Sequence, residues 1–198
     1  MRKILFIICW ALAGVGLYSC SLDEPSYGKT TSDNYYQKES DIEQALTGAY
    51  LQLRTTWNEY ALNHYFVGDC STDDALKGGG NDGDRAEVRD LSDFTIYTTN
   101  GEVGRRWEIL YRLINRCNDV IYYAPDAIGN EELLKRYANE AKALRSFGYY
   151  CLVTTFGEVP LITTPMQPAE ILQIPRSPLE KVYECIVNDL TDASALPA

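Results

Sequence analysis

A single histidine, His64, is present in a chain of 198 residues. Zinc hydrolase sites are built from several imidazoles, or from metal ligands plus a separate base, so this chain is not composed for that chemistry. Cations are also scarce: 18 Lys and Arg face 28 Asp and Glu, a formal charge of -10, and no basic cluster exceeds the pair Arg105-Arg106. An acidic field repels phosphate backbones, which sets nucleic-acid binding aside. Long apolar runs are missing too. The longest, Ile4 to Leu17, has 14 residues, short of the roughly 20 needed to cross a bilayer. Cys70, Cys117, Cys151 and Cys185 are each more than 30 residues from the next, a spacing that indicates neither a zinc ribbon nor a CxxC redox pair. What is plentiful is ordinary core and tyrosine. With 45% hydrophobic and 23% charged residues the chain reads as a folded domain rather than a disordered or multi-span one. Fifteen tyrosines with 3 Trp and 5 Phe suit a binder.

The N-terminus reads as an address. Arg2 and Lys3 precede the apolar run, which fits a signal peptide over residues 1–19. The run closes on Leu17-Tyr18-Ser19-Cys20, which resembles a lipobox, where the cysteine thiol is acylated and the chain is cut just before it. Acyl chains contribute about 0.8 kcal/mol per buried CH₂, enough for several chains on Cys20 to hold the protein at a membrane. Residues 20–39, with Asp23, Glu24 and Pro25, read as an acidic flexible linker. Acids directly behind the lipidated cysteine resemble the surface-export signal of some Gram-negative lipoproteins, which implies an outer-membrane position facing the exterior. An oxidising compartment permits disulfides among the four later cysteines. Cys117, on an apolar helical stripe, reads as a small buried hydrophobe.

Periodicity predicts four helices over residues 40–198. Ser40-Asp41-Ile42-Glu43 has the form of a capping box and is followed by a face of Ile42, Ala45, Leu46, Ala49, Tyr50 and Leu53. A second face runs from Val103 through Trp107, Leu110, Tyr111, Ile114 and Cys117 to Ile121, and Pro125 ends it. Asn130 is the expected N-cap of a third helix, whose stripe is Leu133, Tyr137, Ala141, Leu144, Gly148 and Leu152, with Gly157 and Pro160 beyond its end. A fourth starts at Ser177-Pro178-Leu179-Glu180, with proline at the first helical position, and presents Leu179, Val182, Tyr183, Ile186, Leu190 and Ala193. Residues 54–102 and 159–174 read as long irregular insertions. Successive amphipathic helices without a βα alternation predict an all-α, antiparallel fold.

The insertion over 54–102 carries the candidate ligand contacts. Flat rings cover sugar C–H surfaces and planar polar groups bond paired hydroxyls. Trp57, Tyr60, Asp73, Asp74, Asn81, Arg85, Tyr97 and Asn100 supply both. In the competing reading Trp57 and Tyr97 anchor the loop and the acids are merely solvated. Asp69, Asp73 and Asp74 could furnish a glycosidase acid pair. Gly79 to Asp84 lies one residue from a calcium-binding GGxGxD nonapeptide, with Asp82 where a glycine belongs and no repeat; it reads as a turn. No metal or cofactor is expected. Trp107 is expected in the core. Glu140 and Arg145 are expected to form a polar pair within the helix packing, or Arg145 to bond carbonyls at a helix junction.

Four segments resemble the SusD/RagB family. Asp41 to Tyr50 is similar to its first helix, and Trp107 to Ile121, with Asn118, to its W-x2-LY-x2-I-x2-(AC)N stretch. Glu140 to Tyr150, running into Phe156-Gly157-Glu158-Val159-Pro160, resembles its E-A-x-x-LR-x-F-x-Y and FG-x-VP signature, and Arg176-Ser177-Pro178 with Asn188-Asp189-Leu190 its closing stretch. Trp107, Asn118, Glu140, Arg145, Gly157 and Pro160 are thereby implied to be structural. The resemblance implies tetratricopeptide-like helical hairpins and a lipoprotein without chemistry of its own. It would bind an oligosaccharide or another oligomeric nutrient and pass it to a TonB-dependent transporter. Family members are typically about two and a half times longer. An incomplete fragment that binds nothing, and a lipid-anchored glycoside hydrolase, are the competing readings.

Overall fold

A computed structural model describes residues 35–53, 67–81 and 83–196. The helices are α1 (Glu39–Tyr50), α2 (Ala86–Ser92), α3 (Gly101–Tyr123), α4 (Glu131–Phe156), α5 (Pro168–Ile171) and α6 (Leu179–Ala193), with 3₁₀ turns at Leu51–Leu53, Asp69–Ser71 and Ala124–Asp126. Among the described residues no strand forms, only the isolated bridges Lys38 to Ile128 and Val159 to Ser177. No described helix is long and apolar enough to cross a membrane. The all-α fold expected from periodicity is the fold found.

Helix α4 is the central rod. It pairs with α3 across the short turn at 124–130, is flanked by α6, and carries α1 over the joint between α3 and itself. Two apolar clusters lie along it. One gathers Ile109, Leu110 and Ile114 of α3 with Tyr149, Leu152 and Val153 of α4, Val159, and Val182 and Ile186 of α6. The other gathers Ile42, Leu46 and Ala49 of α1 with Leu113, Cys117 and Val120 of α3 and Leu134, Ala141 and Leu144 of α4. Each large apolar side chain removed from water contributes about 1.5–3 kcal/mol. Gly148 allows the close approach of α3 and α4: a methyl group there would lie 3.0 Å from Ile114 Cγ1.

The helix ends follow local chemistry with two corrections. Asn130 Oδ1 accepts from the amides of Glu132 and Leu133, 2.9 and 3.3 Å away, and caps α4 as expected. At the other end of α4, Gly157 takes φ 72°, ψ -128°, a region glycine alone adopts readily. The first helix starts at Glu39 rather than behind a Ser40 cap. There the Lys38 amide donates to Asp41 Oδ2 at 3.0 Å, and the approach to the helix is held to the α3–α4 turn. Ile128 N donates to Gln37 O and Glu39 N to Ile128 O, at 2.8 and 3.0 Å. The last helix starts at Leu179, one residue later than expected, and the Ser177 amide ahead of it donates to Val159 O at 3.0 Å. Two expected insertions also contain helix: α2 lies inside 54–102 and α5 inside 159–174. Ordered packing begins within the stretch read as linker, where the Tyr36 ring stacks on Tyr123 at 4.5 Å and its hydroxyl donates to Asp119 Oδ2 at 3.2 Å.

The polar signature residues do not pair as the spacing suggested. Glu140 accepts from Arg136 Nε at 2.8 Å and from the Tyr50 hydroxyl at 3.1 Å, tying α1 to α4. Arg145 instead reaches across to α6. Its Nε and Nη2 donate to the two carboxylate oxygens of Asp189, each at 2.8 Å, and Nη1 donates to Asn118 Oδ1 and Thr163 O at 2.9 and 3.0 Å. Residues five apart on one helix diverge by about 140°, so Glu140 and Arg145 face different neighbours. The carbonyl-bonding role expected of Arg145 is present at Thr163. All of Arg145, Asp189 and Asn118 are buried. Burial would lower the arginine's pKa, but the two bonds to Asp189 outweigh it and the net shift is upward.

Candidate functional site

Residues 67–100 build their own small core of Cys70, Val88 and Leu91, against which Val67, Ala75 and Val103 pack. On that base sits a knot joining the starts of α2 and α3. Arg85, in the left-handed region at φ 50°, donates from Nη1 to Glu102 Oε1 at 2.8 Å. The Asn100 side chain accepts from the amides of Glu102 and Val103 as the α3 cap and donates to Glu87 O at 2.9 Å. Gly101 N donates to Glu87 Oε1 at 3.0 Å. Asn100 N donates to Tyr97 O, also at 3.0 Å, so Tyr97 sits on the turn entering this knot.

The structure therefore sorts the expected contacts. Tyr97, Arg85 and Asn100 meet at the α2–α3 junction. Asn100 is buried, with its side chain committed to the cap and to Glu87 O. Asn81 is exposed, and its Oδ1 closes a turn by accepting from Gly83 N and Asp84 N at 2.9 and 3.1 Å. Asp69, Asp73 and Asp74 are exposed, and the Asp74 amide bonds the Thr72 hydroxyl within a local turn. Trp57, Tyr60 and His64 lie outside the described residues, as do Cys20 and Asp82. No group of three metal-binding side chains occurs among the described residues. Sequence reasoning missed the apolar part of this surface: Phe94 and Ile96 flank Tyr97, and Phe94 and Tyr97 are 71% and 67% exposed. Phe94 has a φ of 55°, an uncommon conformation for an aromatic residue.

A cavity of about 390 Å³ opens between α3 and the connector that follows α4, lined by Trp107, Tyr111, Asn115, Asn118, Pro160, Ile162 and Leu172 among others. Its connector wall is pinned by side chains. Tyr111 donates to Pro160 O at 2.7 Å, Asn118 to Ile162 O at 2.9 Å, and Tyr149 to Ile162 O at 2.7 Å. Burial pushes the Tyr111 and Tyr149 phenols upward, consistent with hydroxyls that remain protonated donors. Trp107, expected in the core, is half-buried at the cavity rim, edge-on to Phe156 at 5.1 Å and tilted against Tyr111 at 4.9 Å. Its position on the stripe was legible; the gap beside it, opened by the course of the connector, was not. The four described cysteines are all free. Burial pushes the thiols up, Cys117 to about 12 and Cys185 to about 11.

A family model named SusD-like_3, described as starch-binding and associating with the outer membrane, matches residues 21–198. SusD-like protein P2 of Formosa agariphila is 30% identical over 193 residues, a match covering 95% of this chain and 36% of that protein. A laminarin-binding SusD-like protein of solved structure superposes with a TM-score of 0.70 at 30% identity, over 80% of this chain and 34% of its own. A surface glycan-binding protein A from Bacteroides fluxus does so with a TM-score of 0.68 at 28% identity, over 80% and 33%. The chain thus spans about a third of the length of these relatives. Matched along nearly its whole length and carrying the helical frame of these carbohydrate-binding proteins, the chain belongs to the SusD/RagB family.

Proposed function

We propose that this chain is the binding portion of a lipid-anchored protein on the outer face of the outer membrane, which holds a glycan and hands it to a TonB-dependent transporter. The observation that carries the reading is the segment between α2 and α3: two exposed rings, Phe94 and Tyr97, on the chain that runs into the α3 cap at Asn100, in the same region of sequence as Arg85, itself braced by Glu102, in a chain of a carbohydrate-binding family. Rings supply surface to a pyranose face, and a braced guanidinium offers fixed donors to paired hydroxyls. Asp73, Asn81 and the undescribed Trp57 extend the same segment. The relatives named for laminarin and for surface glycans support a polysaccharide ligand. In this reading the protein acts by retention rather than turnover.

The test is affinity electrophoresis of the full chain in gels containing soluble polysaccharides, laminarin and starch among them. Retardation that is reduced about tenfold in Tyr97→Ala and Phe94→Ala, each replacing an exposed ring that supports no core, is the expected result. Retardation unchanged in both, or release of reducing ends by the wild type, overturns it. The anchor is tested separately: Cys20→Ala is expected to lose incorporation of labelled palmitate and to leave the membrane fraction.

A further inference from the structure

Four tyrosine rings touch in series where the chain enters the helical frame. Tyr35 lies edge-on to Tyr36 at 4.6 Å, Tyr36 stacks on Tyr123 at 4.5 Å with only 6° between the ring planes, and Tyr122 lies edge-on to Tyr123 at 5.0 Å. The cluster closes the last turn of α3, and Tyr122 projects from it, 55% exposed. Tyr36 is fixed from several sides. Its hydroxyl donates to Asp119 Oδ2 at 3.2 Å, the carbonyl of the next residue accepts from Ile128 N at 2.8 Å, and its backbone has a φ of 66°, an uncommon conformation for a residue with a bulky ring.

Position separates this cluster from the Phe94 and Tyr97 surface. Helix α3 has 23 residues and is therefore about 35 Å long. Tyr97 precedes its first turn and Tyr122 stands in its last. Cys20 is fifteen residues ahead of Tyr35. A random coil of that length averages about 20 Å end to end, shorter than the helix, so an acyl anchor on Cys20 favours the Tyr122 end of α3 as the one near the membrane.

The chemistry of the cluster agrees with that placement. A tyrosine has an apolar body and a polar tip, which suits the level of lipid headgroups. The faces of Tyr36 and Tyr123 are spent on each other, so the cluster offers a pyranose less flat surface than its ring count suggests. Attraction by basic residues is weak here: Arg116 donates to Gly48 O and Arg112 pairs with Glu108, while Asp119 and Asp126 add negative charge. Contact with lipid would be made by the ring rather than by charge.

Resting on the lipid-anchor reading above, we propose that the tyrosine cluster at the end of α3 is a membrane-contact surface, with the Tyr122 ring seated among lipid headgroups and the Phe94 and Tyr97 surface held away from the bilayer. The acyl chains supply affinity and the ring supplies orientation, because a tethered side chain meets the interface at high effective concentration.

The lipidated full chain, reconstituted in phosphatidylcholine vesicles containing lipid brominated high on its acyl chains, tests this by fluorescence quenching. Tyr122→Trp should be quenched at least about twofold more than Tyr97→Trp, each above the baseline of the chain's own tryptophans, and raising salt from about 0.1 to about 0.5 M should leave the difference unchanged. Adding Tyr36→Ala to Tyr122→Trp removes the ring stack and the Asp119 bond, and should cut the quenching by about half while the protein stays on the vesicles. Should that variant fold poorly, the comparison of positions 122 and 97 decides alone. Equal quenching at the two positions, none at 122, or quenching that vanishes at high salt overturns the proposal. A shift in Tyr122→Trp emission on addition of laminarin, without quenching by lipid, assigns the cluster to glycan and overturns it as well. If labelled palmitate is not incorporated at Cys20, the anchor reading fails and this one with it; if Cys20 is acylated and Tyr122→Trp is not quenched, the membrane contact alone fails.

Discussion

Arg145 commits three nitrogens to Asp189, Asn118 and Thr163 O, and through them joins α3, α4, α6 and the connector. Removing one partner of a buried, bidentate pair leaves the other charge without compensation, which costs about 3–5 kcal/mol. Arg145→Met is therefore expected to lower the unfolding free energy by that margin, read as a fall in the urea midpoint at an unchanged m-value. Arg145→Met combined with Asp189→Leu should recover most of the loss, since neither charge is then stranded. The same network holds Asn118 at both ends: its amide donates to Ile162 O while its oxygen receives Arg145, so a leucine at 118 would sever two elements at once. Thiols make a second check at this scale. Cys117, at about 12, and Cys151, also pushed up by burial, should stay unreactive toward Ellman's reagent in the native protein. Of the four described thiols, Cys185, less buried, should react first.

Between elements, the connector after α4 decides where the cavity lies. Gly157 turns the chain out of α4 with a φ and ψ that an alanine would hold only under strain, at a cost of about 1–3 kcal/mol. Gly157→Ala should lower the melting temperature and, by re-aiming Val159 to Ile162, accelerate amide exchange along the connector. Tyr111→Phe removes the single bond to Pro160 O, worth about 1 kcal/mol. It should speed exchange of connector amides with little change in global stability. Helix α6 shows the limit of periodicity: Val182, Ile186 and Asp189 are buried, whereas Tyr183, Val187 and Leu190 are exposed. The stripe was correctly placed on the helix but is wider than the face that α4 covers.

For the molecule as a whole, partly and fully buried phenols couple stability to alkaline pH. Tyr36, Tyr111 and Tyr149 are raised above the ordinary value of 10.0, mainly by burial. The unfolded chain then loses these protons first, so above pH 10 it binds fewer protons than the folded state and stability falls as pH rises. Denaturation midpoints should be insensitive to these groups up to about pH 9.5 and decline beyond it, less steeply in Tyr36→Phe, whose hydroxyl faces Asp119. A decline of the same slope in wild type and Tyr36→Phe would show that the ring's contact with Asp119 does not couple to folding.

The sequence by itself determined the helical class, the α3 and α4 registers and the Asn130 cap, because a 3.6-residue stripe and a side-chain cap are local properties of one segment. It also placed Asn118, Arg145 and Gly157 among the structural residues through the family signature. Only the tertiary structure decided which partner each polar residue takes. Asp189 takes the place expected of Glu140 beside Arg145, Asn100 caps α3 and reaches Glu87 O, and the Ser177 amide bonds Val159 O, since distances between helices are absent from a linear pattern.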